Sequence, residues 1–319
     1  MTHNVGIIGL GMIGERMLLD FMAHPAFAVE ACWDLDPQIC EHIRAQHPQA
    51  PLKENAAAVL DHPEVALIYI ATPPVTHVDY GLEVVARGKA LLMDKPLAIE
   101  LADSRKLVEA AESKGIPNVM NFAYGAGPLV DALENALAAQ VIGQLHSIEV
   151  RFQFPSWPLP NQLSAASWIT NRNTGGMVRE MFSHYVYLTH RLLGPLEVIS
   201  AVLSYPEGEE AAEDFVLASL KCQEIPLWLM GGIGSPHTPR TSDWTINGSE
   251  GALRIGEGYQ LLRAQEQGWE VYPVENSRSP IEARLDQLAD MLAGRSHKLP
   301  SLLDGLDVQE VIEDLLDFE

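Results

Sequence analysis

A two-part α/β protein is predicted, with a doubly wound parallel sheet followed by an α+β domain on a large, mostly antiparallel open sheet. Three observations predict it. Short apolar runs alternate with helical segments over the first third of the chain, the alternation that builds parallel sheets. A glycine-rich turn, Gly9-Leu10-Gly11-Met12-Ile13-Gly14, joins the first strand to the first helix. Beyond residue 123 the rhythm changes to consecutive short strands separated by turn signals. The length of 319 residues also exceeds one ordinary core. The expected domains are residues 1–122 and 123–319.

Each element follows from local pattern. Residues 5–8 read as a strand, 13–23 carry helical spacing, and 27–33 read as a second strand. Residues 65–70 are an unbroken apolar run, as expected where both faces of a sheet are covered. A helix over 78–87 leads through Gly88 to a strand at 90–93. The helix over 101–114 stops at Gly115, with Pro117 just beyond, and a strand at 118–122 closes the series. In the second domain a helix at 129–139 and a strand at 146–154 precede a loop rich in Pro, Trp and Asn. A helix over 180–193 is followed by strands at 199–205, 215–222, 227–231, 245–247, 252–255 and 269–272. Helices at 281–293 and 305–317 end the chain and are placed to pack back on the first domain.

Charge narrows the partners. With 21 basic against 43 acidic residues the formal charge is −22, which opposes nucleic acid or an anionic membrane as the main partner. No apolar run approaches the ~20 residues of a membrane span, and the opening Met1-Thr2-His3-Asn4 shows no leader pattern. Three cysteines, Cys32, Cys40 and Cys222, cannot pair completely and sit in no nucleophile motif, so a reduced cytoplasmic setting is expected. No His, Cys or carboxylate cluster has ligand spacing, so no metal is expected.

The glycine turn carries the first chemistry. Gly9 permits the tight turn, Gly11 lets the backbone approach a pyrophosphate, and Gly14 allows close packing of helix on strand. The helix opening at Met12 and Ile13 presents backbone N–H groups and a partial positive charge to phosphates. Asp34 ends the second strand, where its carboxylate suits the adenosine ribose hydroxyls of a dinucleotide on a Rossmann domain. That carboxylate would repel a 2′-phosphate and no arginine adjoins it, so NAD is favoured over NADP. Asp36 precedes Pro37 and is expected to cap the next helix.

Three further segments carry a resemblance. They are Ala71-Thr72-Pro73-Pro74-Val75-Thr76-His77, the run from Gly88 to Leu97 containing Asp94-Lys95-Pro96, and the run from Gly175 to His184. With the glycine turn, Asp34 and Gly248-Ser249-Glu250-Gly251, they make the chain resemble the glucose-fructose oxidoreductase / inositol dehydrogenase / MocA family. The resemblance implies NAD(P)-dependent oxidation or reduction at a carbon of a small hydroxylated, sugar-like molecule. It also implies a homo-oligomer formed through the C-terminal sheet. Lys95 matches the family lysine beside the nicotinamide, His184 the histidine assigned as acid/base, and Glu180 a position usually held by aspartate. Ala71, Thr72, Pro73, His77 and Asp94 fall on cofactor-side segments, His77 as a cap or structural contact, while Tyr124 and Trp168 fall where pocket walls are expected.

Physical chemistry supports the same roles. Lys95 follows the carboxyl end of a parallel strand, where doubly wound sheets bind ligands. An ammonium there can stabilise charge developing on a reacting oxygen. Glu180 and His184 are four residues apart and share a helix face, and oxidation of an alcohol requires a base for the hydroxyl proton. The chain departs from the family pattern in several places: Asp94 shortens the usual glutamate, Glu180 lengthens the usual aspartate, Tyr187 replaces another aspartate, and Ala123-Tyr124-Gly125 and Ile169 lack arginines, so several polyol- or phosphate-binding contacts are expected to be absent. Two other readings share these residues: a dinucleotide sensor without turnover, and an enzyme that keeps NAD bound through a closed redox cycle of elimination or epimerisation.

Overall fold

The computed structural model describes residues 2–208, 210–275 and 278–318. It divides into two compact units, one of Met1–Ala126 with Ile281–Leu306, the other of Gly127–Pro280 with Asp307–Glu319. The first unit holds a five-stranded, fully parallel sheet in the order β2-β1-β3-β4-β5, with β1 His3–Ile8, β2 Phe27–Trp33, β3 Leu67–Ile70, β4 Ala90–Met93 and β5 Asn118–Met120. Helices α1 (Met12–Ala23), α4 (His77–Ala86) and α5 (Leu101–Lys114) make the crossovers that parallel neighbours require. Between β2 and β3 lie α2 (Pro37–Gln46) and α3 (Ala56–Leu60). Asp36 caps α2 as expected, its Oδ1 accepting from Gln38 N at 2.8 Å.

Every residue of β3 and β4 is buried, which accounts for their continuous apolar character. On one sheet face Val5, Ile7, Leu67, Tyr69 and Leu92 pack with Met17, Leu18 and Phe21 of α1. Helix α9 (Pro280–Leu292) adds Leu285, Leu288 and Met291 to this core, so a segment late in the sequence helps close the first unit. Burial also silences a thiol here: the enclosed Cys32 is pushed up to about 12.

The second unit is built on eight strands in the order β13-β12-β11-β10-β6-β9-β8-β7. These are β6 Leu145–Phe154, β7 Leu196–Ser204, β8 Phe215–Cys222, β9 Ile225–Ile233, β10 Thr241–Gly248, β11 Gly251–Ile255, β12 Leu261–Gln265 and β13 Gly268–Val271. Helices α6 (Pro128–Ala138), α7 (Ala166–Ile169) and α8 (Ser183–Leu193) come from the same unit, and α10 (Leu302–Leu316) ends the chain. Side-chain alternation gives the sheet two characters. Val150, Phe152, Val216, Ala218, Leu229 and Trp244 point to the buried face, where Trp244 Nε1 donates to Thr189 Oγ1 of α8 at 3.0 Å. The other face carries Val202, Leu217, Trp228 and Met230, left 40–62 % exposed.

The sheet is mostly antiparallel, as expected, and one local expectation is corrected. All neighbours in this sheet are antiparallel except β6 and β9, which pair in parallel because α7, α8, β7 and β8 intervene and return the chain in the same direction. Strand β12, Leu-Leu-Arg-Ala-Gln, carries no period-2 pattern and was not expected; pairing with β11 (Leu253↔Arg263) and with β13 makes it a strand. Among the described residues no helix is long and apolar enough to cross a membrane.

Candidate functional site

The first unit gathers its predicted residues at the carboxyl edge of the parallel sheet. Gly9, at φ +96°, lies so close to the next loop that a Cβ would sit 2.5 Å from the Ala71 carbonyl carbon. A Cβ on Gly14 would fall 2.0 Å from the Gly9 oxygen, so helix α1 can start here only with glycine. Gly11 differs. It has nothing within 4 Å of its missing Cβ, and as N-cap of α1 it supplies no side-chain acceptor to the first turn. Open space beside uncapped N–H groups is what a pyrophosphate needs. Asp34 adjoins this cradle, its Oδ2 accepting from Leu10 N at 2.6 Å and its Oδ1 from Asp36 N at 2.8 Å. Each oxygen keeps lone-pair capacity for a ribose hydroxyl. The residues present therefore fit a dinucleotide. Tyr80, which sequence reasoning missed, stands nearby: burial and then the Asp34 and Asp79 charges hold its phenol above the ordinary range.

The loops after β3 and β4 are tied together. Thr76 Oγ1 donates to Thr72 Oγ1 at 2.8 Å, tying the Ala71-Thr72-Pro73 turn to the short turn that follows it. The buried His77 ring bridges two carbonyls, Nδ1 lying 2.7 Å from Pro96 O and Nε2 2.8 Å from Thr72 O. It thus connects the cofactor-side turn to the segment that follows Lys95. Behind the lysine, Asp94 Oδ1 accepts from Lys95 N at 3.0 Å and Oδ2 from the Tyr69 hydroxyl at 3.1 Å. Asn121 Nδ2 in turn donates to the Tyr69 oxygen at 3.4 Å. Tyr69 lies on β3 and Asn121 directly follows β5, and the parallel pairing of β3, β4 and β5 brings both to Asp94.

Burial raises the Asp94 carboxyl above the ordinary aspartate range, the adjoining Lys95 charge opposing the shift. An acid raised in the folded state binds its proton more readily there than in the unfolded chain. Its favourable contribution is present at acidic pH and is lost as pH rises through the interval from the ordinary value to the raised one. Asp94→Asn is therefore expected to gain thermal stability relative to the native chain as pH goes from 4 to 7. Melting curves at the two pH values check this, and a difference that is constant or shrinks contradicts it.

In the second unit Glu180 and His184 share one helical run, with Glu180 buried and His184 half-buried. The run does not begin as the regular helix expected from residue 180. Val178–Phe182 form a π-helical turn, with Ser183 N donating to Val178 O, before α8 begins at Ser183. Such wide turns frequently occur at functional sites. Arg179 braces this turn, its Nε donating to Glu313 Oε1 at 2.8 Å and its Nη1 to Gly175 O at 3.1 Å. Tyr187, at a position where the resemblance suggests an aspartate, is buried beside Arg191, whose Nη1 donates to its hydroxyl at 3.4 Å. Of the expected pocket walls, Tyr124 belongs to the first unit and is buried. Trp168 belongs to the second and is half-buried, its carbonyl accepting from Thr174 Oγ1 at 2.7 Å. Among the described residues no group of three or more His, Cys, Asp or Glu side chains is arranged to hold a metal ion.

A glycine cradle beside a fixed carboxylate, at the carboxyl edge of a parallel sheet, is the arrangement of a dinucleotide-binding Rossmann domain, and the family matched below is one of NAD(P)-dependent oxidoreductases acting on CH–OH groups. The chain belongs to the glucose-fructose oxidoreductase / inositol dehydrogenase / MocA family. Residues 3–122 match the family's "Oxidoreductase family, NAD-binding Rossmann fold" and residues 130–254 its "GFO/IDH/MocA C-terminal domain". A dTDP-3,4-didehydro-2,6-dideoxy-alpha-D-glucose 3-reductase of Saccharopolyspora spinosa is 24% identical over 80% of this chain and 75% of its own. Among solved structures, a 3-ketoreductase of Actinomadura kijaniata in complex with NADP and TDP-benzene superposes with a TM-score of 0.83 at 20% identity, over 99% of this chain and 97% of that one. An oxidoreductase of Agrobacterium radiobacter in complex with NAD+, L-tartaric acid and magnesium gives 0.82 at 17% identity, over 98% and 95%.

Proposed function

We propose that the protein uses NAD to oxidise, or NADH to reduce, one carbon of a sugar-like or other small hydroxylated molecule. The observation that carries this reading is the single edge of the parallel sheet at which the Gly11 cradle, Asp34 and the Asp94-Lys95 pair converge. Bound there, the nicotinamide supplies hydride chemistry. Lys95 donates a hydrogen bond to the reacting oxygen and stabilises negative charge on it, while His184 exchanges the hydroxyl proton. Glu180 orients the histidine or takes a substrate hydroxyl. The preference for NAD rests on Asp34, followed by Leu35, which is 77 % exposed and offers no cation to a 2′-phosphate. Three unpaired cysteines suit a reducing, cytoplasmic setting.

The test is a panel assay in which NAD or NADP is offered with aldoses, inositols, sugar acids and deoxysugars, following absorbance of the reduced cofactor. Reduction of NAD by one group of compounds establishes the reading. Tight NAD binding with silence across the panel favours a sensor, or a closed redox cycle in which copurified NAD shows no net reduction.

The proposal includes assembly. The apolar face carrying Leu217, Trp228 and Met230 meets a second copy of the chain, as the family resemblance implies. Trp228, on that face and 47 % exposed, is the residue to change. Trp228→Glu is expected to shift the sedimentation coefficient to that of a monomer with the melting temperature of the isolated fold retained. An unchanged coefficient places the interface elsewhere.

A further inference from the structure

We infer that Glu213 is a positioning residue for the helical run that carries Glu180 and His184, seating its first turn through the Val178 amide and against the bare backbone of Gly176. The inference rests on the proposed roles of Glu180 and His184.

Glu213 lies in the segment between β7 and β8 and is 2 % exposed. Its Oε1 accepts from Val178 N at 2.7 Å. Its Oε2 is buried without a hydrogen-bond partner. Burial raises the Glu213 carboxyl above the ordinary glutamate range, with the Val178 N–H and the Arg179 and Arg172 charges opposing the shift, and the group is kept here against the start of a helical run despite that cost. The fit extends to the neighbouring glycine. Gly176 has φ +101°, and a Cβ on it would lie 2.5 Å from Oε2 and 2.7 Å from Oε1 of Glu213. The positive φ alone disfavours any side chain here, and the Glu213 carboxylate fills the space a Cβ would need, so the second glycine of the Gly175-Gly176 pair answers both.

The segment bearing Glu213 is itself anchored on both sides. Arg172 N donates to Glu210 O and Ala212 N to Thr170 O, each at 2.8 Å, joining it to the stretch that leads into the helix. Asp214 N donates to Ser204 O at 2.9 Å and Ile233 N to Asp214 O at 2.8 Å, joining it to β7 and β9. The position of the carboxylate is therefore set by the sheet, and Val178 takes its place from the carboxylate. Val178 opens the π turn, so a displacement there passes to Glu180 two residues on and to His184 beyond it. A single wide turn lacks the repeating bonds that define a long helix, and a tertiary anchor at its first residue supplies the definition.

The test uses the full chain with Glu213→Ala, Glu213→Gln, Gly176→Ala and the double variant Gly176→Ala/Glu213→Ala. Hydrogen–deuterium exchange is followed across residues 176–193. The His184 ring is followed by NMR of histidine-labelled protein, with its signal assigned by loss in His184→Gln. In Glu213→Ala, amides 178–182 are expected to exchange about tenfold faster or more while the first unit keeps native rates, and the His184 ring signal to shift. Glu213→Gln, which keeps an acceptor at Oε1, is expected to stay within about threefold of native exchange and to restore the signal. Gly176→Ala should reproduce the loss, and its effect should be smaller in the Glu213→Ala background, since backbone strain is common to both. Native exchange and ring signal in Glu213→Ala, exchange in Glu213→Gln as fast as in the alanine variant, or an equal Gly176→Ala effect in both backgrounds overturns the inference. Should Glu213→Ala not fold, Glu213→Gln and Gly176→Ala decide it. His184→Ala in the panel assay is the separate control: native turnover there defeats the catalytic reading and leaves the exchange data to judge the seating.

Discussion

Lys95→Ala is expected to lower turnover by about 10²–10⁴-fold, with NADH affinity within about threefold of native. The two halves of that expectation come from different parts of the structure. The proposed function places dinucleotide affinity in the backbone N–H groups at Gly11 and in the Asp34 carboxylate, which is fixed by Leu10 N and Asp36 N. None of these involves the lysine side chain. In the proposed reaction the ammonium acts on the oxygen whose charge changes as hydride moves, and losing it is expected to raise the barrier by about 3–5 kcal/mol. The backbone around it stays defined, since Lys95 N is held by Asp94 and the following carbonyl by His77. Steady-state turnover on the best panel substrate, paired with a fluorescence titration of NADH, separates the effects. Turnover close to native removes Lys95 from the chemistry, and a matching loss of NADH affinity makes it a cofactor contact instead.

Gly14→Ala and Gly11→Ala should both weaken dinucleotide binding, the first through the fold and the second without it. At Gly14 the added methyl meets the Gly9 carbonyl at 2.0 Å, and both partners are backbone, so neither can rotate away. The turn must distort, costing about 3 kcal/mol or more and taking dinucleotide binding with it. At Gly11 the backbone is at φ −60° and the methyl meets nothing, so the fold should melt within about 2 °C of native. The same methyl would occupy the space that the proposed function gives to a pyrophosphate, so NADH affinity should fall at least about tenfold. Thermal melts and NADH titrations of both variants form the test. Intact affinity in Gly11→Ala would mean the phosphates do not pass over this backbone.

How much of this was legible beforehand depended on whether the signal was local. The glycine turn, Asp34 and the Asp36 cap were readable because a turn conformation, a strand end and an N-cap are each specified within a few residues. The all-buried strands β3 and β4 announced themselves by unbroken apolar runs. Tyr69, Asn121 and Glu213 were invisible for the converse reason. Their partners lie 25, 52 and 35 positions away, and no local pattern points to those partners. The π turn at Val178 was hidden because its residues suit an ordinary helix equally well, and one extra residue per turn leaves no mark in apolar spacing. Strand β12 was missed because Leu-Leu-Arg-Ala-Gln owes its conformation to neighbours on both sides.

The two faces of the eight-stranded sheet can be edited independently. Along β8 and β9, residues 216, 218, 227 and 229 enter the core, and residues 217, 228 and 230 lie on the opposite side of the same backbone. A substitution at an inward position is constrained by volume and shape within a closed interior. One at an outward position leaves that interior untouched and alters only what the surface can hold. Alternate letters of a single strand therefore obey separate rules, so variants of this chain with a new outer surface need no redesign of the fold beneath it.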